Sequence, residues 1–208
     1  MSKLRKTTAV PIKRAFARGG RPVRVALVGL PNSGKSTLFK TVASTAVQTG
    51  ELAGTHRAYN ECAVQIGLDE VRLVELPSIT SLHDLAHDER VTLQYLLWGD
   101  KRPPIAAHEP GGPPAPFAAP DVIIQVVDAT ALARHLEFTL ELSQLGRPMV
   151  IALNMMDEAA RKGLHINHRR LSKQLGIPVV PTTVVMGLGI MEVFNAALAN
   201  VRKRSGPH

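Results

Sequence analysis

Gly29-Leu30-Pro31-Asn32-Ser33-Gly34-Lys35-Ser36 is the stretch on which the reading of this chain turns. It matches the pattern GxxxxGK[ST] in full. The run Val23 to Val28 before it is apolar and β-rich apart from Arg24, and in Lys35 to Val47 after it Leu38, Val42 and Ala46 recur at helical spacing. Strand, loop and helix therefore follow one another, as a phosphate-binding loop requires. Gly29 and Gly34 let the backbone curl so that successive N–H groups point at a phosphate, and the helix N-terminus adds a favourable dipole. Lys35 brings a point charge for β and γ phosphates, and the Ser36 hydroxyl is placed to ligate Mg²⁺. A merely structural glycine turn is the competing reading; the Lys-Ser ending and both flanking elements weigh against it.

Working outward, the 208 residues suit one α/β domain. Apolar residues make up 45% and aromatics only 4%, which implies a core of Val, Leu, Ile and Ala. Residues 1–22 are basic and carry Pro11, Gly19, Gly20 and Pro22, so they read as a flexible leader before a domain over 23–203, with 204–208 as a tail. Ala63 to Leu68 and Val71 to Leu76 read as a hairpin at one side of the sheet, with Asp69-Glu70 as the turn. A helix is expected over 88–98, and the Pro- and Gly-dense residues 101–120 read as a disordered insertion. Strands over Val122 to Val127, Met149 to Leu153 and Ile177 to Val180 alternate with helices over Leu132 to Leu145, His168 to Leu175 and Ile190 to Val201. The expected fold is a three-layer α/β P-loop domain, with a mostly parallel sheet and one antiparallel edge hairpin. Ligands of such sheets bind at the carboxyl ends of the strands, where the motifs fall.

Asn154-Met155-Met156-Asp157 follows directly on a buried strand. The Asp157 carboxylate is expected to accept the ring N–H and the exocyclic amine that guanine has and adenine lacks. NxxD alone is common, and a helix-capping Asn or Asp is the bland reading. Placed one strand beyond Asp128 and downstream of a phosphate loop, the motif points to guanine.

These residues resemble the cytosolic G domain of the bacterial ferrous-iron transporter FeoB family, one of the translation-factor-like P-loop GTPases. The resemblance runs roughly from Val23 to Val201. It rests on Pro31-Asn32 in the phosphate loop, the NMxD form of the guanine motif, Val126-Val127-Asp128-Ala129-Thr130, and Leu175-Gly176-Ile177-Pro178-Val179-Val180-Pro181 before Gly187-Leu188-Gly189-Ile190. It implies GDP and GTP as ligands, with Mg²⁺. Gly29, Pro31, Asn32, Ser33, Gly34, Lys35, Ser36 and Thr37 would line the phosphates, and Asn154, Met155, Asp157 and the loop Thr183-Val184-Val185 the base. It assigns Asn32 a role beside K⁺, as in potassium-activated GTPases.

Three departures accompany it. Glu75-Leu76-Pro77-Ser78 stands where the family has Asp-x-Pro-Gly, so the metal-facing carboxylate sits on a stem one methylene longer and Ser78 lacks glycine's freedom. Gly54-Thr55-His56-Arg57 aligns with Gly-Val-Thr-Val, which puts Thr55 one residue from the position that completes the Mg²⁺ shell. Val184 occupies the place of an expected Ser, leaving its backbone N–H to meet the guanine oxygen. Nucleotide binding is expected to be retained, with Lys35 and Ser36 the catalytic groups and slow intrinsic GTP hydrolysis, since no glutamine is evident to position water. The resemblance also implies a link to ferrous iron transport, with a membrane transporter subunit as a candidate partner. A regulatory pseudo-GTPase and an RNA- or ribosome-associated GTPase stand as alternatives.

The remaining features are read conservatively. The net charge of +8 sits largely at the ends and reads as solvated tails; specific nucleic-acid binding is not expected. No apolar run approaches the ~20 residues of a membrane helix, and no signal-peptide core or disulfide partner for the single Cys62 is present, so the chain is expected in the cytoplasm or at the inner face of the membrane. The 208 residues contain neither a membrane domain nor the helical regulatory segment that follows the family's G domain; a stand-alone relative or a fragment is expected. His83, Asp84, His87 and Asp88 read as a solvated segment rather than a metal site, and Cys62 as packing rather than a reactive thiol.

Overall fold

The computed structural model describes residues 21–44, 59–83, 90–97 and 119–204, and the backbone alone of residues 55–56. The regularity of the pattern is carried by the strands. β1 (Val23–Val28), β5 (Val122–Asp128) and β6 (Met149–Asn154) are almost wholly buried and read as continuous apolar runs because helices cover both of their faces. With β2 (Thr55–His56), β3 (Tyr59–Ile66), β4 (Asp69–Glu75) and β7 (Val179–Pro181) they form one seven-stranded sheet in the order β2-β3-β4-β1-β5-β6-β7. β4, β1, β5, β6 and β7 run parallel, while β3 is antiparallel to β4 and to β2.

Six helices flank the sheet among the described residues: α1 (Lys35–Ser44), α2 (Arg90–Leu97), α3 (Leu132–Ser143), α4 (Met156–Arg161), α5 (His168–Leu175) and α6 (Ile190–Arg204). Leu38 and Val42 of α1 and Val193, Phe194, Ala197 and Val201 of α6 pack with Val25, Leu27, Leu73 and Ile124 on one face. Tyr95 and Leu96 of α2 and Phe138 and Leu142 of α3 pack with Ala26, Val74 and Ile123 on the other. Ala159 of α4, with Leu171 and Leu175 of α5 against it, covers Val127, Ile151 and Val179. Burying an aliphatic side chain of this size stabilises by about 1.5–3 kcal/mol, so these paired layers hold the sheet from both sides.

The three-layer α/β architecture agrees with the expectation, and two local readings are corrected. The hairpin turn is Gly67-Leu68 rather than Asp69-Glu70: Gly67 has φ +60, and Asp69 already pairs with Ile66 inside the ladder. The Asp69 carboxylate is engaged by Arg202 of α6, which ties it to the fold and not to a turn. Arg21, assigned to the leader by composition, belongs to the fold through a two-pronged bond to Asp121 at 3.0 and 3.1 Å. The leader before residue 21, the insertion up to residue 118 and the tail from residue 205 lie outside the described residues.

Candidate functional site

The phosphate loop leaves the end of β1 and reverses through two left-handed residues, Asn32 (φ 64) and Gly34 (φ 91). A Cβ at Gly34 would run into the side-chain amide of Asn154, and one at Gly29 would sit 2.7 Å from the Val126 carbonyl and 2.8 Å from Ser33 Oγ. Glycine is therefore required at both positions by close approach, and at Gly34 by conformation too. The first helical bond, Leu38 N–H to the Gly34 carbonyl at 3.0 Å, starts α1 directly from the loop. Pro31, Asn32, Ser36 and Thr37 are exposed, while Ser33 is buried with an Oγ that has no hydrogen-bond partner among the described residues.

Lys35 and Glu75 are each only 6% exposed and meet at 3.2 Å, Nζ to Oε1. Ser36 Oγ donates to the same carboxylate oxygen, and Asn60 Nδ2 donates to Oε2 at 2.9 Å. Strand pairing produces this meeting. β4 lies beside β1 with Glu75 in register with Leu27, next to the loop, and Asn60 of β3 is the cross-strand partner of Glu75. Burial alone would raise the Glu75 pKa, yet the hydrogen bonds from Ser36 and Asn60 and the Lys35 charge hold it below its ordinary value. Burial lowers the Lys35 pKa, an effect opposed by the same carboxylate.

Beyond Glu75 the segment stays against the loop. Leu76 N–H donates to the Leu27 carbonyl, Ile79 N–H to that of Gly29, and Thr92 Oγ1 of α2 to that of Pro77 at 2.9 Å. Glu141 of α3 accepts from Ser81 Oγ and from Leu82 N–H, anchoring the chain as it leaves the site.

Asn154, at the end of β6, is buried and bridges two loops. Its Nδ2 donates to the Ser33 carbonyl at 3.0 Å, and its Oδ1 accepts from Val184 N–H at 3.0 Å and Thr182 Oγ1 at 3.5 Å. Met155 follows in the left-handed region (φ 61) and caps α4, a short helix that sequence periodicity did not disclose because Ala159 is its one buried position. Asp157 sits in the first turn of α4, half exposed, with Arg161 Nη2 at 3.3 Å. Thr183 and Leu188 exchange backbone bonds that close the 183–188 loop. Val184 N–H, expected to face the guanine oxygen, donates to Asn154 Oδ1 in this structure; Val185, 78% exposed, follows it in the loop.

The donors suit the groups the motifs imply. Ser36 Oγ and the Glu75 carboxylate are adjoining hard oxygen ligands, the set that Mg²⁺ prefers. The curled loop, the buried Lys35 and the unpartnered Ser33 hydroxyl suit a phosphate. The Thr55 side chain, Asp84, His87 and Asp88 lie outside the described residues, and among the described residues no three His, Cys, Asp or Glu cluster as a metal site. Burial pushes the Cys62 thiol up to about 11, which fits packing and not reactivity. Asn60 is the contributor that sequence reading missed. A turn at Asp69-Glu70 would set Glu75 opposite Val64, whereas the turn at Gly67-Leu68 sets it opposite Asn60.

Fold and site together define a P-loop domain of the GTPase type, with a phosphate loop after β1 and an Asn-x-x-Asp segment after β6. More specifically, the chain belongs to the family of FeoB G domains: the family model for ferrous iron transport protein B matches residues 23–106 and 117–197. A Porphyromonas gingivalis relative, an Fe(2+) transport protein A/Fe(2+) transporter FeoB fusion protein, is 33% identical over 180 residues, covering 86% of this chain and 19% of its own length. The chain thus spans about a fifth of that relative. The FeoB G domain of Methanococcus jannaschii superposes with a TM-score of 0.65 at 31% identity, covering 87% of this chain and 98% of that one. The S. thermophilus NFeoB bound to GDP·AlF4⁻ and K⁺ gives a TM-score of 0.65 at 32% identity, covering 84% and 60%. No helix among the described residues is long and apolar enough to cross a membrane.

Proposed function

We propose that residues 23–203 form a G domain that binds GDP and GTP with Mg²⁺, hydrolyses GTP slowly and serves ferrous iron transport or its regulation at the cytoplasmic side of the membrane. The observation that carries this reading is the Asn154 bridge. One buried amide links the phosphate loop at Ser33 to the loop at Val184, 121 and 30 residues away in sequence, and so sets phosphate- and base-facing segments at a fixed separation.

In this reading the amides of Gly29 to Thr37 and the Lys35 ammonium hold the phosphates. Asp157 accepts the two guanine donors, with Met155 and the Thr183 to Val185 loop flanking the base. Asn154 acts by bracing these loops, since its own amide is spent on Ser33 and Val184. Ser36 and Glu75, with Thr55 nearby in β2, would hold Mg²⁺, which when bound supplies charge neutralisation at the β and γ phosphates. Asn32, exposed beside the loop, is the residue toward K⁺; support comes from the K⁺ found with the S. thermophilus NFeoB. Hydrolysis is attack of water on the γ-phosphorus with cleavage of its bond to the β–γ bridging oxygen, giving GDP and phosphate. Lys35 and the loop amides offset the charge that accumulates on those oxygens. Without a side chain assigned to orient the water, turnover is slow.

Titration with labelled GDP, a non-hydrolysable GTP analogue and ADP tests the reading. Both guanine ligands bind and ADP does not; Asp157→Ala lowers guanine affinity and selectivity together. Equal affinity for ADP sinks the assignment of Asp157. A regulatory pseudo-GTPase is favoured by one observation, the Glu75 carboxylate resting directly on Lys35 and Ser36 where a shorter Asp is usual. Binding of GDP without the GTP analogue, and no phosphate release in K⁺ or Na⁺, would select it.

A further inference from the structure

We propose that Asn60 is a positioning residue of this site: its side-chain amide aims the Glu75 carboxylate at Ser36, and through that contact it tunes the affinity of the nucleotide complex for Mg²⁺. The inference rests on the reading of Ser36 and Glu75 as the Mg²⁺-facing pair. Its starting point is the division of labour on one carboxylate. Oε1 receives Lys35 and Ser36, the two groups that phosphate and metal would engage, and Oε2 receives Asn60 alone among the described residues.

A glutamate has one more rotatable bond than an aspartate, so a Glu at the end of β4 needs something to define where its carboxylate lies. Asn60 provides it. The two residues face one another across the β3–β4 ladder, on the side of the sheet that carries α1. Asn60 is fixed in turn by its neighbour Tyr59, which is 7% exposed and packs edge-on against Tyr95 of α2 with ring centroids 5.3 Å apart. A buried carboxylate oxygen without a donor is costly, and the neutral amide satisfies Oε2 without adding a charge that would repel a cation. When Lys35 turns to a phosphate, the Asn60 bond still holds the carboxylate toward Ser36.

The test is a double-mutant cycle with labelled GDP. Dissociation constants are measured across a series of free Mg²⁺ concentrations for the wild-type chain, Asn60→Ala, Glu75→Ala and the double variant, with a thermal melt of each. Asn60→Ala is expected to raise the Mg²⁺ concentration for half-maximal effect by about 10-fold, the usual order for removing a group that orients a metal ligand. Glu75→Ala is expected to raise it at least as far, and adding Asn60→Ala to Glu75→Ala to change it no further. Asn60→Thr, which keeps a hydroxyl donor on a residue suited to a strand, is expected to fall between wild type and Asn60→Ala. It carries the test if the alanine variant does not fold. A merely structural role would weaken GDP binding equally with and without Mg²⁺. An unshifted Mg²⁺ dependence in Asn60→Ala, or in Asn60→Thr where the alanine variant does not fold, or a shift of equal size without Glu75, overturns the proposal. A wild-type chain that binds GDP with no Mg²⁺ dependence removes the reading beneath it as well, whereas a normal wild-type dependence with a silent Asn60 removes this inference alone.

Discussion

Two residues carry disproportionate weight here because each lies where segments distant in sequence meet. Gly34 combines φ 91 with a close approach to the Asn154 amide, so a methyl group there is resisted both by the backbone and by the neighbour. Gly34→Ala is expected to cost about 1–3 kcal/mol in backbone strain alone and to abolish nucleotide binding by displacing Asn154. A denaturant melt together with a GDP titration measures both effects. Asn154→Ala removes the partner of the Ser33 carbonyl and of the Val184 amide in a buried place, and buried groups left unsatisfied cost about 1–3 kcal/mol each. The expected result is a lower unfolding midpoint with the denaturant slope unchanged, even without ligand. If Asn154 acted only on the base, stability without nucleotide would stay at the wild-type value.

Among the elements, the contact of α3 with β5 contains a pH-sensitive weak point. His135 is 4% exposed, its Nδ1 has no hydrogen-bond partner among the described residues, and its carbonyl accepts from Gln125 Nε2 and Thr139 Oγ1. Burial lowers its pKa, Asp128 opposes that shift and Arg134 adds to it. The folded protein therefore binds this proton less readily than the unfolded chain does. The stability that neutral His135 contributes is complete above the unfolded value of about 6.5 and is lost as the pH falls below it. His135→Leu is expected to flatten the decline in stability between pH 7.5 and pH 5.5; denaturant melts at the two pH values check it, and an unchanged decline would assign the acid sensitivity elsewhere. The β3–β4 hairpin teaches a related point, because a turn displaced by two residues changes every cross-strand partner while leaving each strand's apolar alternation intact.

Taken as one body, the domain joins its two ligand-facing loops through the sheet, so a bound nucleotide should stabilise the fold as a unit. At a GDP concentration 100 times the dissociation constant the gain is about 2.7 kcal/mol, or a rise in melting temperature of roughly 5–10 °C for a chain of this size. ADP at the same concentration is expected to leave the melt unchanged. A rise with ADP equal to that with GDP would place the recognition on the phosphates alone. The chain corresponds to about a fifth of the Porphyromonas gingivalis relative, and the melts with GDP and ADP read the nucleotide step that this fifth carries.

Much of this is legible in the sequence alone, for a physical reason. The phosphate loop, its strand and its helix are consecutive, and their requirements are local: glycine where the backbone curls, lysine and serine where the helix begins, apolar runs where strands are covered on both faces. The Asn154-to-Asp157 segment was legible on the same grounds, as was the mostly parallel sheet. What a linear reading could not supply were meetings between distant residues. Asn60 faces Glu75 only because the turn falls at Gly67-Leu68, and Val184 N–H meets Asn154 only because β7 pairs with β6 and brings the loop after it to the end of that strand. Periodicity records which face a side chain takes, but strand register and loop packing choose its partner, and at this site the partners set the chemistry.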